Sequence, residues 1–154
     1  MKRITVKKGE IIQRKGDLNS KVYLVKSGLM RSYTIDEKGK EHIFLFASED
    51  WMVADNLPKE EPVDLFIDAL EDSELVVIEK TERVGDHSDK LLKRISVLQK
   101  RVIMLMSSTA LERYEHFVET YPEIVQRVPQ KMIASYLGIT PEALSKVKNE
   151  RFSN

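Results

Sequence analysis

The sequence predicts an α+β protein in which an N-terminal β jelly roll is followed by one long helix and a small C-terminal helical domain. Three observations carry this prediction. Four of the six glycines, Gly9, Gly16, Gly28 and Gly39, punctuate the first 39 residues and separate short runs of branched and aromatic side chains. From about Asp89 the apolar residues recur in alternating steps of four and three, the period of a helix with a partner. Between Gln130 and Lys148, small, glycine and apolar residues fall where two short helices joined by a tight turn require them.

The turn-like stretches KKGE, RKGD, KSGL and DEKGKE bound candidate strands at Ile11–Ile12, Val22–Val25, Leu29–Ile35 and His42–Ala47. After a polar break at Pro58–Pro62, Val63–Ala69 and Glu74–Ile78 continue the pattern, joined through Glu71, Asp72 and Ser73. Seven or eight such strands suit a jelly roll or small barrel, which limits exposed sheet edges. The resulting boundaries are 1–86 for the β-domain, 87–108 for the long helix and 109–154 for the helical domain.

Along the long helix, Leu91, Ile95, Leu98, Val102, Leu105 and Thr109 form one seam. The seam suits a second copy of the same helix in a homodimer; an intramolecular core is the alternative. Leu92, Ile103 and Met106 lie off it and imply a second apolar contact, most simply with the β-domain. A second helix is expected over 108–120, followed by a short helix from Pro122 that leads to Pro129.

The C-terminal pair, QKMIASYLGITPEALSKVK, reads as a helix-turn-helix. Ala134 is small where the second helix must approach the first, and Gly138 can take the left-handed backbone that ends a helix. Thr140, Pro141 and Glu142 supply an N-cap, a first-turn proline and a carboxylate matched to the helix dipole. Ile133, Leu137, Ile139, Leu144 and Val147 are the expected buried sides, and the remaining face is polar and partly basic. An ordinary helical hairpin within a core is the bland alternative, because fold alone does not decide function.

Composition bounds the rest. With 42% hydrophobic residues, the 154-residue chain can pack a core. No apolar run is long enough for a bilayer, and no hydrophobic signal core follows Met1–Thr5, so a cytoplasmic location is expected. The absence of cysteine excludes disulfides, thiolate metal sites and cysteine-bound iron-sulfur clusters, and neither metal nor cofactor is expected. Lys plus Arg and Asp plus Glu are 25 each, so any DNA affinity must come from a local patch.

A glycine-punctuated barrel, a long dimer-type helix and a C-terminal helix-turn-helix, in that order, resemble the Crp/Fnr family of bacterial transcription regulators. The carrying pieces are KKGEIIQRKGD at Lys7–Asp17, VYLVKSGLMRSY at Val22–Tyr33 and DALEDSELVVI at Asp68–Ile78. The stretch from Glu112 to Lys148 resembles the version common in Bacteroidetes-type members. The resemblance implies a cyclic-nucleotide-binding-type sensor barrel, a homodimer through the long helix, and a terminal module that reads a palindromic promoter site in double-stranded DNA. RNA polymerase and a small-molecule effector, or no effector, complete the partners it allows.

Members that bind cyclic nucleotides carry a Gly-Glu-Leu turn and an Arg followed by Ser or Thr. Neither motif is present between Ser48 and Leu65, where the arginine position falls near Val63 with Asp64 beside it. A phosphate set against Asp55, Glu61 or Asp64 would meet like charge without a guanidinium fork, a repulsion on the order of a few kcal/mol. The degenerate effector pocket, Asp55, Val63 and Asp64, is therefore expected not to hold cyclic AMP or cyclic GMP. The chain also begins almost at the first strand, where members have leading helices, and ends at Asn154 without a β-wing; the missing wing is expected to remove phosphate contacts.

On DNA, Glu142, Ser145 and Lys146 are the expected base readers: a carboxylate accepts from cytosine, an ammonium donates to guanine, and a hydroxyl serves either a base or a phosphate. Lys131, Thr140, Lys148 and Arg151 suit phosphates. Two rivals stand beside this reading. A metal-dependent jelly-roll enzyme would need clustered histidines, whereas His42, His87 and His116 fall in separate regions, so no enzyme is expected. A dimeric sensor or protein-interaction module with a vestigial helix-turn-helix is the second.

Overall fold

Alternating apolar and polar positions, broken by turn residues, produce eight strands among the residues that the computed structural model describes, 1–80 and 88–153. They are β1 (Lys2–Val6), β2 (Ile11–Gln13), β3 (Val22–Ser27), β4 (Met30–Ile35), β5 (Glu41–Ala47), β6 (Met52–Ala54), β7 (Phe66–Ala69) and β8 (Ser73–Ile78). All pair antiparallel in two four-stranded sheets, ordered β1-β8-β3-β6 and β2-β7-β4-β5. The period of two sends Val6, Val25, Val53 and Leu75 from one sheet, and Met30, Leu45, Ile67 and Ala69 from the other, into a shared core. On the opposite face of the first sheet, Leu24, Met52, Val76 and Ile78 form a second cluster. That explains why β3 and β8 read as continuous apolar runs rather than strict alternation.

Three stretches differ from the sequence expectation. β1 precedes the first candidate strand and pairs with β8. β6 has only three residues, too few for a periodic signal, yet it pairs with β3. The segment Val63–Leu65 lies outside β7: the Val63 N–H donates to the Asp17 carbonyl at 3.0 Å, and the Gly16 N–H donates to the Val63 carbonyl at 2.8 Å. These backbone groups are satisfied by a loop instead of a ladder.

At the β3–β4 turn, Gly28 has φ +92°, and a Cβ there would lie 2.3 Å from Ser73 Oγ and 2.6 Å from the Asp72 carbonyl oxygen. Only glycine fits both the dihedral and the space. Next to it on β4, Arg31 is paired in register with Asp68 of β7. Its Nε and Nη2 donate to Asp68 at 2.8 and 3.0 Å, and its Nη1 donates to Glu41 at 2.6 Å. Burial works against the Arg31 charge, but the bonds to both carboxylates outweigh it and hold the guanidinium above its ordinary pKa. The guanidinium carbon also stands 4.1 Å from the centre of the Tyr33 ring.

By its internal contacts the chain divides into two units, Met1–Leu91 and Leu92–Asn154. The expected 86/87 boundary and His87 lie outside the described residues. Four helices follow: α1 (Ser88–Ser107), α2 (Ala110–Thr120), α3 (Gln130–Leu137) and α4 (Pro141–Ser153). The expected continuation of the long helix through Thr109 is corrected by the local chemistry. Thr109 has an extended backbone and caps α2: its side chain accepts from the Glu112 N–H at 3.3 Å, while Glu112 accepts from the Thr109 N–H at 2.8 Å.

Nor does a helix form from Pro122; residues 122–127 make successive turns, with the Ile124 and Arg127 N–H groups bonded to the carbonyls of Tyr121 and Ile124. Those turns bring Tyr121 and Ile124 into the core of the second unit. There the rings of Phe117, Tyr121 and Tyr136 meet at centroid distances of 5.3 to 5.5 Å. Arg94 of α1 is buried at 8% exposure; burial pulls its pKa down, and the neighbouring Tyr121 and Tyr136 oppose that pull.

Candidate nucleic-acid interface

Two short helices meet at a turn closed by backbone hydrogen bonds. Gly138 is left-handed at φ 65° and ψ 33°, its N–H donates to the Ser135 carbonyl at 3.2 Å, and the Ile139 N–H reaches back to the Ala134 carbonyl at 3.1 Å. Thr140 then starts α4: its hydroxyl oxygen accepts from the Ala143 N–H at 3.1 Å and its carbonyl from the Leu144 N–H at 3.0 Å. Ile133, Ala134, Leu137, Leu144 and Val147 are buried and Ile139 is half-buried, so both helices turn their apolar sides inward.

The outward face follows from that packing. Glu142, Ser145 and Lys146 are exposed together on the first turns of α4. Lys131 and Thr140 are exposed beside them. Lys148 is half-buried, with its ammonium donating to Gln130 at 3.1 Å, and Arg151 is exposed with its guanidinium 5.7 Å from the centre of the Tyr114 ring. Over residues 130–153 there are four basic residues against two acidic, in a chain that is neutral overall. Asn149 and Phe152 extend the same exposed face, four and seven residues after Ser145. The helical spacing alone would have found them: an amide suits adenine and an aromatic edge suits the thymine methyl.

Along α1 the expected seam is solvent-facing. Leu91, Ile95, Val102 and Leu105 are 37%, 59%, 55% and 38% exposed, and Leu98 is half-buried. Leu92, Ile103 and Met106 are also exposed, the last at 81%.

Of the three residues expected to line the effector pocket, the structure brings none to an open anion site. Asp55 is buried and serves as a loop anchor: it accepts from the N–H groups of Leu57, Asp64 and Leu65 at 2.9 to 3.1 Å. Val63 is buried and Asp64 exposed. The cavity nearby, of about 420 Å³, is bordered by Val22, Asn56, Pro58, Lys59, Glu60 and Lys80 together with Asp55, and by neither Val63 nor Asp64. The Lys80 ammonium is already engaged by the Ser20 hydroxyl at 2.6 Å and the Leu57 carbonyl, and burial pulls its pKa down. Its lining carries two carboxylates, Asp55 and Glu60, two ammonium groups, Lys59 and Lys80, and no guanidinium.

His42 bonds Asp36 at 2.8 Å in the β4–β5 turn, and His116 is half-buried on α2. Among the described residues, no group of three or more metal-ligating side chains comes together. No described helix is long and apolar enough to cross a membrane.

Comparison with known proteins assigns this architecture. The sequence profile of the cyclic nucleotide-binding domain matches residues 3–83, more than half of the chain. The chain belongs to the cyclic nucleotide-binding domain family. A curated relative of this family member, the anaerobic regulatory protein of Haemophilus influenzae, is 24% identical over 168 residues. The match covers 92% of this chain, and the chain spans 63% of that relative's length.

The whole fold is also similar to solved structures. A Crp/Fnr-family transcriptional regulator from Thermus thermophilus superposes with a TM-score of 0.81 at 17% identity, covering 99% of this chain and 86% of its own. FixK2 from Bradyrhizobium japonicum gives 0.75 at 19% identity, with 99% and 84% covered. This family member therefore shares the Crp/Fnr fold, and the names of its relatives are those of regulators, not enzymes.

Proposed function

We propose that this chain is a sequence-specific DNA-binding transcription regulator of the Crp/Fnr type that acts as a homodimer. The observation that carries the reading is the exposed row of Glu142, Ser145 and Lys146 on a helix that follows a capped, left-handed turn, the arrangement of a helix-turn-helix recognition helix. Residues 1–86 act as the sensor, with the strand orders of a jelly roll, 87–108 as the dimerisation helix and 109–154 as the DNA-binding domain. The exposed stripe of Leu91, Ile95, Val102 and Leu105 supports pairing of two copies, each offering one recognition helix to half of an inverted repeat.

Glu142 and Lys146 read bases with Ser145, while Lys131, Thr140, Lys148 and Arg151 hold phosphates and set the register. The β-domain does not take cyclic nucleotides, because Asp55 is spent on backbone N–H groups and the position of the family's arginine is Val63. Regulation then runs through another effector, a partner such as RNA polymerase, or none, with no metal or cofactor involved. The protein is expected in the cytoplasm.

Selection from random duplex DNA with the purified protein tests the reading. Enrichment of an inverted repeat is the expected result. A flat selection rejects it and leaves a dimeric interaction module with a vestigial helix-turn-helix. Calorimetric titration with cyclic AMP and cyclic GMP should show no micromolar binding.

A further inference from the structure

The C-terminus of α3 is the pivot of the proposed recognition element, and its last four carbonyls all have partners. The turn takes the first two: the Ile139 and Gly138 N–H groups donate to the carbonyls of Ala134 and Ser135. The last two are taken from outside the element. Arg101 of α1 donates through Nη2 to the Tyr136 carbonyl at 2.9 Å, with its guanidinium carbon 3.9 Å from the centre of the Tyr136 ring. Arg113 of α2 donates through Nη1 to the Leu137 carbonyl at 3.1 Å.

Arg113 does more than cap α3. Its Nε donates to the Ser108 carbonyl at 3.2 Å and its Nη2 to the Leu105 carbonyl at 3.1 Å. One guanidinium thus spans the end of α1, the two-residue joint at Ser108 and Thr109, and the end of α3. The planar fork of arginine holds these three donors in fixed, widely spread directions, which a lysine ammonium does not. Its positive charge also lies at two helix C-termini, where the backbone dipoles favour it.

We propose that Arg101 and Arg113 are positioning residues that fasten the pivot of the recognition element to α1, so that α1 and the α3–α4 pair turn as one body. This rests on the reading of α4 as the recognition helix. The joint at Ser108–Thr109 would otherwise be a hinge, since no helix hydrogen-bond ladder crosses it. With the clamp closed, the spacing of two recognition helices is set by how the α1 helices pair. A signal acting on the protein then changes DNA affinity by changing that pairing or by opening the clamp.

The absence of native cysteine makes the test direct. Ser96→Cys on α1 and Glu150→Cys on α4, both exposed positions, are spin-labelled, and the labelled chain is diluted into excess unlabelled protein. Pulsed dipolar spectroscopy should give one narrow intrachain distance in the otherwise native chain and a broadened or split distribution with Arg113→Ala or Arg101→Ala. Arg113→Lys, which reaches fewer carbonyls, should fall between the two.

Wild-type width in a folded Arg113→Ala chain would overturn the proposal. If that variant loses its helical signal, Arg113→Lys decides by the same criterion. A second readout is the selected inverted repeat with its half-site spacing altered by one base pair. The native chain should lose about tenfold in affinity on the altered site, and Arg113→Ala appreciably less than that. If the native chain selects no repeat at all, the DNA reading fails, whereas the distance measurement still judges the clamp.

Discussion

Replacing Gly138 by alanine isolates what the left-handed turn contributes to the recognition element. At φ 65° and ψ 33° the residue lies in the left-handed helical region, which costs an alanine about 1–2 kcal/mol. Space adds nothing to that cost, because a Cβ would meet Arg113 Nη1 at 3.5 Å and Leu105 Cδ2 at 3.6 Å, ordinary van der Waals distances. The expected loss is therefore about 1–2 kcal/mol for the helical unit, or about 1 M in urea midpoint for a unit of this size. Helical circular dichroism follows that unit, while Trp51, the single tryptophan, packs against the sheet core and reports the β-unit.

Gly28→Ala is the matched contrast. Its Cβ would sit within 3 Å of Ser73 and of the Asp72 backbone, so overpacking of about 1–3 kcal/mol adds to the dihedral strain, and Trp51 should register it first. At low temperature the folded Gly138→Ala chain should bind the selected DNA as the native chain does. A loss above about 3 kcal/mol, or none, would refute the geometry on which this magnitude rests.

Further outcomes follow from the same structure. Arg31→Ala should cost about 3–5 kcal/mol by leaving the buried Asp68 carboxylate without its guanidinium, seen as a lowered urea midpoint by Trp51 fluorescence, and Arg31→Met with Asp68→Leu should recover much of it. Lys146→Ala should change base preference at one position by about 1–3 kcal/mol, while Lys131→Ala should weaken all sequences alike and lower the salt slope by about one; the reverse pattern in a binding array refutes the assigned roles. Ile95→Glu with Val102→Glu should yield a folded monomer in sedimentation, and a persistent dimer would remove the α1 seam from the account. The pKa of His116 is held below its ordinary 6.5 by burial first, with Lys100 and Arg101 adding and Glu119 opposing. The unfolded chain therefore binds the proton more tightly: this contribution is fully present above pH 6.5 and is lost as the pH falls toward the folded pKa, and His116→Gln should flatten that slope in denaturant titrations.

Sequence alone determined the features whose causes are local. Gly138, Thr140 and Pro141 specify the turn and the start of α4 within three positions of one another, and the structure keeps the left-handed glycine and the Thr140 cap. The helical period of α1 was equally legible, because side chains three and four apart share a face wherever the helix lies. The same logic reached its limit at Thr109, where the capping box with Glu112 prevails over heptad continuation.

Tertiary structure decided what depends on segments far apart in the chain. Asp55 reads as a charge in a pocket, yet the loop returning at Asp64 and Leu65 converts its carboxylate into an acceptor for backbone N–H groups. Arg31 meets Asp68 only because β4 and β7 pair in that register, and Arg113 meets the Leu137 carbonyl only because α2 and α3 pack. Spacing along a chain sets which faces residues share within one element. Which buried donor finds which acceptor is set by how the elements pack, since each orphaned polar group must find its partner in whatever packing lies around it.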